Sequence, residues 1–347
     1  MRPRVVFESH VSDADHGQTR YSLHRMLHRI FITGGAGFIG SHLAERFLKE
    51  GRHVTVLDNL STGLRANVEA LQKLAPERFR FIDGCATDFS LVAPLVADCD
   101  AVVHLAAAVG VRLVVEQPIH TIRTNIGATE TVLESASVAG VPLLYASTSE
   151  VYGKSAKLPF TENADLVLGP TSIARWGYAA SKATGEWMAL AYGAERELDV
   201  TIVRLFNTVG PRQRGQYGMV LPNFVRAALA GEPLRVFGDG QQTRCFAHVK
   251  DVTRILGGLL DEPAARGSVF NVGNDDEVSI LELAQRVCSV AGSDSAIELV
   301  PYSEAYGHGF EDMRRRVPSL AALEAALGDR PRTGLDEIIT DLIGVLA

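Results

Sequence analysis

The chain lacks an excess of positive charge: 34 Lys and Arg stand against 41 Asp and Glu in 347 residues, a formal net charge of −7. A nucleic-acid partner calls for a basic binding field, so none is expected. A long hydrophobic run is also missing. The most apolar stretch, Leu91 to Val115, is broken by Asp98, Asp100, His104 and Arg112, short of the roughly 18 uninterrupted apolar residues a bilayer span requires. No membrane partner is expected. Cysteine is scarce and scattered: Cys85, Cys99, Cys245 and Cys288 show no C-x-x-C spacing. That pattern argues against a disulfide framework or a metal site and for packing thiols in a reducing cytoplasm. Internal repeats and low-complexity tracts are absent as well.

What remains is an ordinary globular composition, 46% apolar and 22% charged, which excludes a disordered chain. At about 150 residues per domain the length predicts two domains. Residues 1–26 stand apart: they lack the apolar segment of a signal peptide and read as a disordered or loosely attached extension. From residue 29 short β-branched runs alternate with amphipathic stretches. The strand candidates are 29–33, 53–58, 80–84, 101–106, 141–147, 200–206 and 268–272, with helices such as 40–50 and 119–139 between them. Strands apolar throughout, alternating with helices, predict an α/β fold with a parallel sheet covered on both faces. After residue 207 Gly and Pro thicken and the alternation stops, which predicts a second, smaller lobe. The expected division is 27–207 plus about 245–274 for the larger domain and 208–244 plus 275–347 for the lobe.

Thr33-Gly34-Gly35-Ala36-Gly37-Phe38-Ile39-Gly40 follows a strand and opens a helix. In that setting Gly34 permits the tight turn, Gly37 lets backbone N–H groups approach a pyrophosphate, and Gly40 lets helix pack on strand. Asp58 ends the next strand, where a carboxylate accepts from a ribose diol and repels a 2′-phosphate, favouring NAD over NADP. Tyr178-Ala179-Ala180-Ser181-Lys182 places a phenol and an ammonium on one helix face. The ammonium and a cationic nicotinamide both favour phenolate, so the pair is expected to present an ionised phenol as a base.

Together with Asp58-Asn59-Leu60-Ser61-Thr62-Gly63, His104-Leu105-Ala106-Ala107, Ser147-Thr148-Ser149-Glu150-Val151-Tyr152-Gly153 and Asn207-Thr208-Val209-Gly210-Pro211-Arg212, these motifs resemble the extended short-chain dehydrogenase/reductases. The resemblance covers roughly residues 27–325 and implies a doubly wound Rossmann sheet with a nucleotide-sugar-binding lobe. It also implies a tightly bound NAD that is reduced and reoxidised within each turnover. By the same resemblance Gly34, Gly37, Phe38, Ile39, Asp58, Asn59, Ser61, Gly63, Leu105, Ala106 and Ala107 contact the cofactor, along with Tyr178 and Lys182. Thr148 meets the sugar's 4-oxygen, while Asn207, Arg212, Val220, Val236, Phe237, Arg244 and Arg316 meet a UDP-sugar. In these relatives Gly-Asp-Ile follows the third strand; here it is Gly84-Cys85-Ala86, leaving Asp83, Asp88 or a purely apolar wall to face adenine.

The residues after Thr148 bear on the reaction. A 4,6-dehydratase places an Asp there to protonate a departing hydroxyl, and Ser149 is a far weaker donor. Thr148-Ser149-Glu150 resembles the UDP-glucuronate decarboxylases (UDP-xylose synthases), in which a 4-keto uronate is a β-keto acid. The expectation is that Ser149 and Arg244 hold the carboxylate and that Glu150, directly or through water, helps place or protonate carbon 5. A UDP-hexose 4-epimerase is the alternative, and a non-catalytic NAD-binding sensor a further one. His104 reads as a satisfied strand-end residue, and Trp176 and Trp187 as packing residues. Arg175 fits either substrate or surface. Apolar residues on more than one face of 119–139 and 178–194, with the family's habit, imply a homodimer through a four-helix interface.

Overall fold

The computed structural model describes residues 27–213, 219–301 and 313–346; the expected extension, 1–26, lies outside the described residues. In chain order the elements begin β1 (Arg29–Thr33), α1 (Phe38–Lys49), β2 (His53–Asp58), α2 (Arg65–Leu74), β3 (Phe79–Asp83), α3 (Phe89–Ala97) and β4 (Ala101–His104). They continue α4 (Val111–Glu116), α5 (Pro118–Ala139), β5 (Leu143–Thr148), α6 (Arg175–Arg196), β6 (Val200–Leu205), β7 (Asn207–Val209) and α7 (Val220–Ala230). The last are β8 (Leu234–Phe237), β9 (Thr243–His248), α8 (Val249–Asp261), β10 (Val269–Val272), β11 (Glu277–Ser279), α9 (Ile280–Ala291), β12 (Ile297–Val300), α10 (Ala321–Leu327) and α11 (Leu335–Leu346).

All seven expected strands enter one parallel sheet in the order β3-β2-β1-β4-β5-β6-β10. Strand alternation divides its apolar side chains between two layers. Ile30, Ile32, Val54 and Val56 pack with Leu43 and Phe47 of α1 and Ile255 and Leu256 of α8. Phe31 and Val102 face the other way, onto Val92 of α3 and Val132 and Leu133 of α5. Strand order reverses between β1 and β4, so the crevice beyond their carboxyl ends is the natural ligand position.

The smaller lobe has its own core, in which Leu221, Phe224 and Val225 of α7 meet Leu283 and Val287 of α9 and Ile338 and Leu342 of α11. A three-stranded sheet, β11-β9-β7, and a parallel pair, β12-β8, stand beside it. One segment departs from the expected division. Leu320 and Leu323 return to the core of the larger domain, because β10 at the sheet edge needs a cover and α10 supplies it.

Candidate active site

A single cleft of about 1060 Å³ runs past the carboxyl ends of the strands, from the Gly34 turn to Arg316. At its first end Gly34 takes φ +73°, and a Cβ there would stand 2.7 Å from the Ala106 backbone nitrogen. A Cβ on Gly40 would run into the Gly34 carbonyl. Among the described residues no side chain caps α1, which starts after Gly37, so its leading N–H groups are available to an anion. Asp58 accepts from the Ala36 N–H at 3.0 Å and the Leu60 N–H at 2.8 Å. Burial raises its pKa and these N–H groups counter the rise. Phe38, Ile39, Asn59, Ser61, Leu105, Ala106 and Ala107 complete this wall. Such a cradle fits a dinucleotide.

The adenine end is apolar. Gly84, Cys85 and Ala86 line the cleft, whereas Asp83 faces Arg65 at 3.5 Å and Asp88 caps α3 through Ser90 and Leu91. Neither carboxylate takes the place of the missing Asp.

At the other end three segments meet. β5 ends at Thr148, whose hydroxyl accepts from the Glu150 N–H at 3.2 Å and so turns the chain into one 3-10 turn, Ser149–Tyr152. Helix α6 brings Arg175, Tyr178 and Lys182 along one side. The third segment arrives through Phe160, whose N–H donates to Val317 and whose carbonyl accepts from Ser319, setting Arg316 beside the turn. Arg316 donates to the Ser149 hydroxyl at 2.8 Å and to Glu150 at 2.8 Å, and Arg175 reaches Glu150 at 3.1 Å from the opposite side. Burial alone would raise the Glu150 carboxyl, but Arg316, then Arg175 and Arg244, hold it below its usual range. Glu150 is therefore a carboxylate at neutral pH. As a carboxylate it can orient guanidinium groups or water.

The ionised phenol is expected with a cationic nicotinamide beside it, and the protein's own groups pull the other way. Burial and then the Glu150 charge push Tyr178 up, outweighing its bond with Thr148 and the pull of Arg316. Burial pushes Lys182 down to about 7. In the protein alone the pair is set toward neutral phenol, because desolvation acts on both groups. The positive nicotinamide is the charge that would reverse it.

Most of the expected site residues line this cleft, including Asn207, Arg212, Val220, Phe237, Arg244 and Arg316. Three do not. Gly63 backs Asp58, with no room for a Cβ. Ser149 is wholly buried and gives its proton to the Leu205 carbonyl at 3.0 Å, so it orients Arg316 instead of offering a donor to a carboxylate. Val236 points into the lobe core because β8 alternates, leaving Arg235 and Phe237 on the cleft side. Arg212 lines the cleft but spends its guanidinium on Glu45 and Ser41 of α1. Arg244 donates to the carbonyls of Thr243 and Met313 at 2.7 and 2.9 Å. His104 is satisfied by Thr33 at 2.7 Å and Thr129 at 3.3 Å. Arg235 and Asn125 went unread in the sequence. Strand alternation could have signalled the first. The second is a buried amide that ties the Ala108 backbone to Ser181 of α6, and nothing local marks it.

Residues 30–273 match the NAD dependent epimerase/dehydratase family. A UDP-N-acetyl-alpha-D-glucosaminuronate decarboxylase from Bacillus cytotoxicus is 41% identical over 92% of this chain and 97% of its own length. UDP-glucuronic acid decarboxylase 1 of Danio rerio is 37% identical over 89% of this chain and 70% of its own. Among solved structures, DesIV of Streptomyces venezuelae, a dTDP-glucose 4,6-dehydratase with NAD and TYD bound, superposes with a TM-score of 0.80. It is 31% identical over 92% of this chain and 95% of its own. With its seven-stranded sheet, glycine cradle and Thr148–Tyr178–Lys182 constellation, the chain belongs to the NAD dependent epimerase/dehydratase family.

Proposed function

We propose that the protein catalyses NAD-dependent decarboxylation of UDP-glucuronate through a 4-keto intermediate to UDP-xylose, or to the 4-keto pentose. The observation that carries this reading is the gathering of Arg175, Arg316 and Arg244 around Glu150, in the same cleft as Tyr178. Guanidinium forks suit a sugar that brings its own carboxylate in addition to the diphosphate every UDP-sugar carries, and a neutral hexose offers them no second anion. Epimerases among the solved relatives fit less well for that reason.

Thr148 and Tyr178 hold the 4-hydroxyl, and Tyr178 takes its proton. Bound NAD supplies hydride acceptance at carbon 4 and its later return. Once carbon 4 is a ketone, the bond from carbon 5 to the carboxylate breaks, CO₂ leaves and its electron pair passes into the enolate, which takes a proton from water at carbon 5; the proton held by Tyr178 goes back to the oxygen when the ketone is reduced. Arginines fix the carboxylate before that step, and Lys182 holds the charge balance at the phenol. A second reading, UDP-N-acetylglucosaminuronate as substrate, draws on the Bacillus cytotoxicus relative. Incubation with a panel of UDP- and dTDP-sugars, read by mass spectrometry, tests both. Loss of CO₂ from a UDP-uronate supports the proposal; turnover of neutral hexoses only overturns it.

Two finer points belong to the same reading. Ile119 of α5 is 73% exposed and Trp187 of α6 is 63% exposed, and α5 and α6 pack side by side. This supports a homodimer in which that helix pair meets its copy. The four cysteines are free thiols, in keeping with a cytoplasmic enzyme. Among the described residues no helix is long and apolar enough to cross a membrane.

A further inference from the structure

Lys182 is buried, and its ammonium needs a partner that its own helix does not fully supply. Glu186, one turn on, gives its carboxylate to Arg204 at 2.7 Å and to the Ser147 hydroxyl. Tyr178 is the other titratable neighbour on α6, and burial keeps its phenol protonated. Beneath Lys182 lies β5, where the ring of Tyr145 is fully buried and its centroid stands 4.3 Å from the Lys182 Nζ. The Tyr145 hydroxyl donates to the Lys182 backbone carbonyl at 3.3 Å. Gly185 leaves space for that hydroxyl; a Cβ there would run into it. On β4, His104 stacks with the same ring at 5.8 Å between centroids and 27° between planes. Burial drops the imidazole to about 3, so no second cation competes for the ring.

We propose that Tyr145 is a positioning residue for Lys182, its ring face holding the ammonium at a fixed place in the cleft. A desolvated cation over an aromatic face gains considerably more than an exposed one, and here the ring is anchored at both ends. The sequence motifs point to Lys182 but give no hint of Tyr145, which looks like any apolar strand residue. The inference rests on the proposed function only for the part Lys182 plays in turnover; the contact itself is independent of the sugar.

The test is an NMR titration of the Lys182 side chain in the full-length protein, with the signal assigned by its loss in Lys182→Met. Tyr145→Phe keeps the ring face and should leave the midpoint within a few tenths of a pH unit. Tyr145→Leu removes the face and should lower the midpoint by about one unit, a roughly tenfold easier loss of the proton. If the leucine variant does not fold, pentafluorophenylalanine at position 145 keeps the shape and inverts the ring's electrostatics, and should give the same shift. An unchanged midpoint with leucine or the fluorinated ring overturns the proposal. So does a shift in Tyr145→Phe as large as that in Tyr145→Leu, which would assign the effect to the hydroxyl. No sugar nucleotide enters the measurement, so its failure is separable from failure of the decarboxylase reading.

Discussion

Tyr178 has burial and a carboxylate neighbour working against its ionisation, so its basicity depends on what binds beside it. Replacement by Phe should cut turnover by about 10²–10⁴-fold while NAD stays bound, as read by cofactor absorbance after gel filtration. An unaffected turnover would remove Tyr178 from the reaction, and a wild-type protein that binds NAD but turns over no sugar nucleotide would favour a sensor. Lys182 carries a pH signature as well. Folded, it gives up its proton near pH 7, against 10.5 for an ordinary lysine. Between those values the unfolded chain binds the extra proton, so this residue's contribution to stability rises as pH rises through the window and is lost as pH falls toward 7. Lys182→Met should flatten that rise in urea unfolding of the NAD-free protein at pH 7 and 9. At this scale the sequence was informative where chemistry is local: Thr148 to Glu150 and Tyr178 to Lys182 are short motifs. Arg316 was visible as an arginine, but its place against Ser149 depends on a pairing between Phe160 and Val317 that no local pattern encodes.

The elements were legible to the extent that they are periodic. All seven strands of the large sheet are legible, β1 and β2 to the residue and the other five with ends shifted by one or two residues, because a parallel strand buried on both faces is a continuous apolar run. The small β11-β9-β7 sheet was not foreseen, since three-residue strands such as β7 and β11 are too short to show alternation. One buried ion pair joins the central elements. Glu186 of α6 takes Arg204 of β6 at 2.7 Å, with both side chains under a tenth exposed. Arg204 in turn donates to Tyr152 at 2.9 Å, whose hydroxyl donates to Asn271 of β10 at 2.7 Å. Removing one partner strands a buried charge, so Glu186→Ala should cost about 3–5 kcal/mol in urea unfolding. A cost under ~1 kcal/mol would mean the pair is solvated or replaceable.

Across the whole molecule, Arg244 and Phe237 of the lobe line the same cleft as the Gly34 turn of the larger domain, which puts the proposed substrate between the two. Residues 210–212 fasten the lobe side to α1: the Pro211 carbonyl bonds His42 at 2.9 Å and Arg212 bonds Glu45. The return of α10 to the larger core is not legible in the sequence, because Leu320 and Leu323 look alike in either core. The exposed faces of α5 and α6 predict a dimer by light scattering at micromolar concentration, and Trp187→Arg should shift it toward monomer. A wild-type monomer would contradict the interface.

The central claim is that oxidation at carbon 4, loss of the carboxylate and re-reduction occur in this one cleft. The most direct measurement supplies UDP-glucuronate labelled with ¹³C at carbon 6 and deuterium at carbon 4, with NMR of gas and product. The proposed reaction gives ¹³CO₂ together with UDP-xylose that keeps deuterium at carbon 4, or, where the 4-keto pentose leaves, ¹³CO₂ with the deuterium on the nicotinamide. Deuterium retained in a 4-epimerised hexuronate, with no ¹³CO₂, would contradict it.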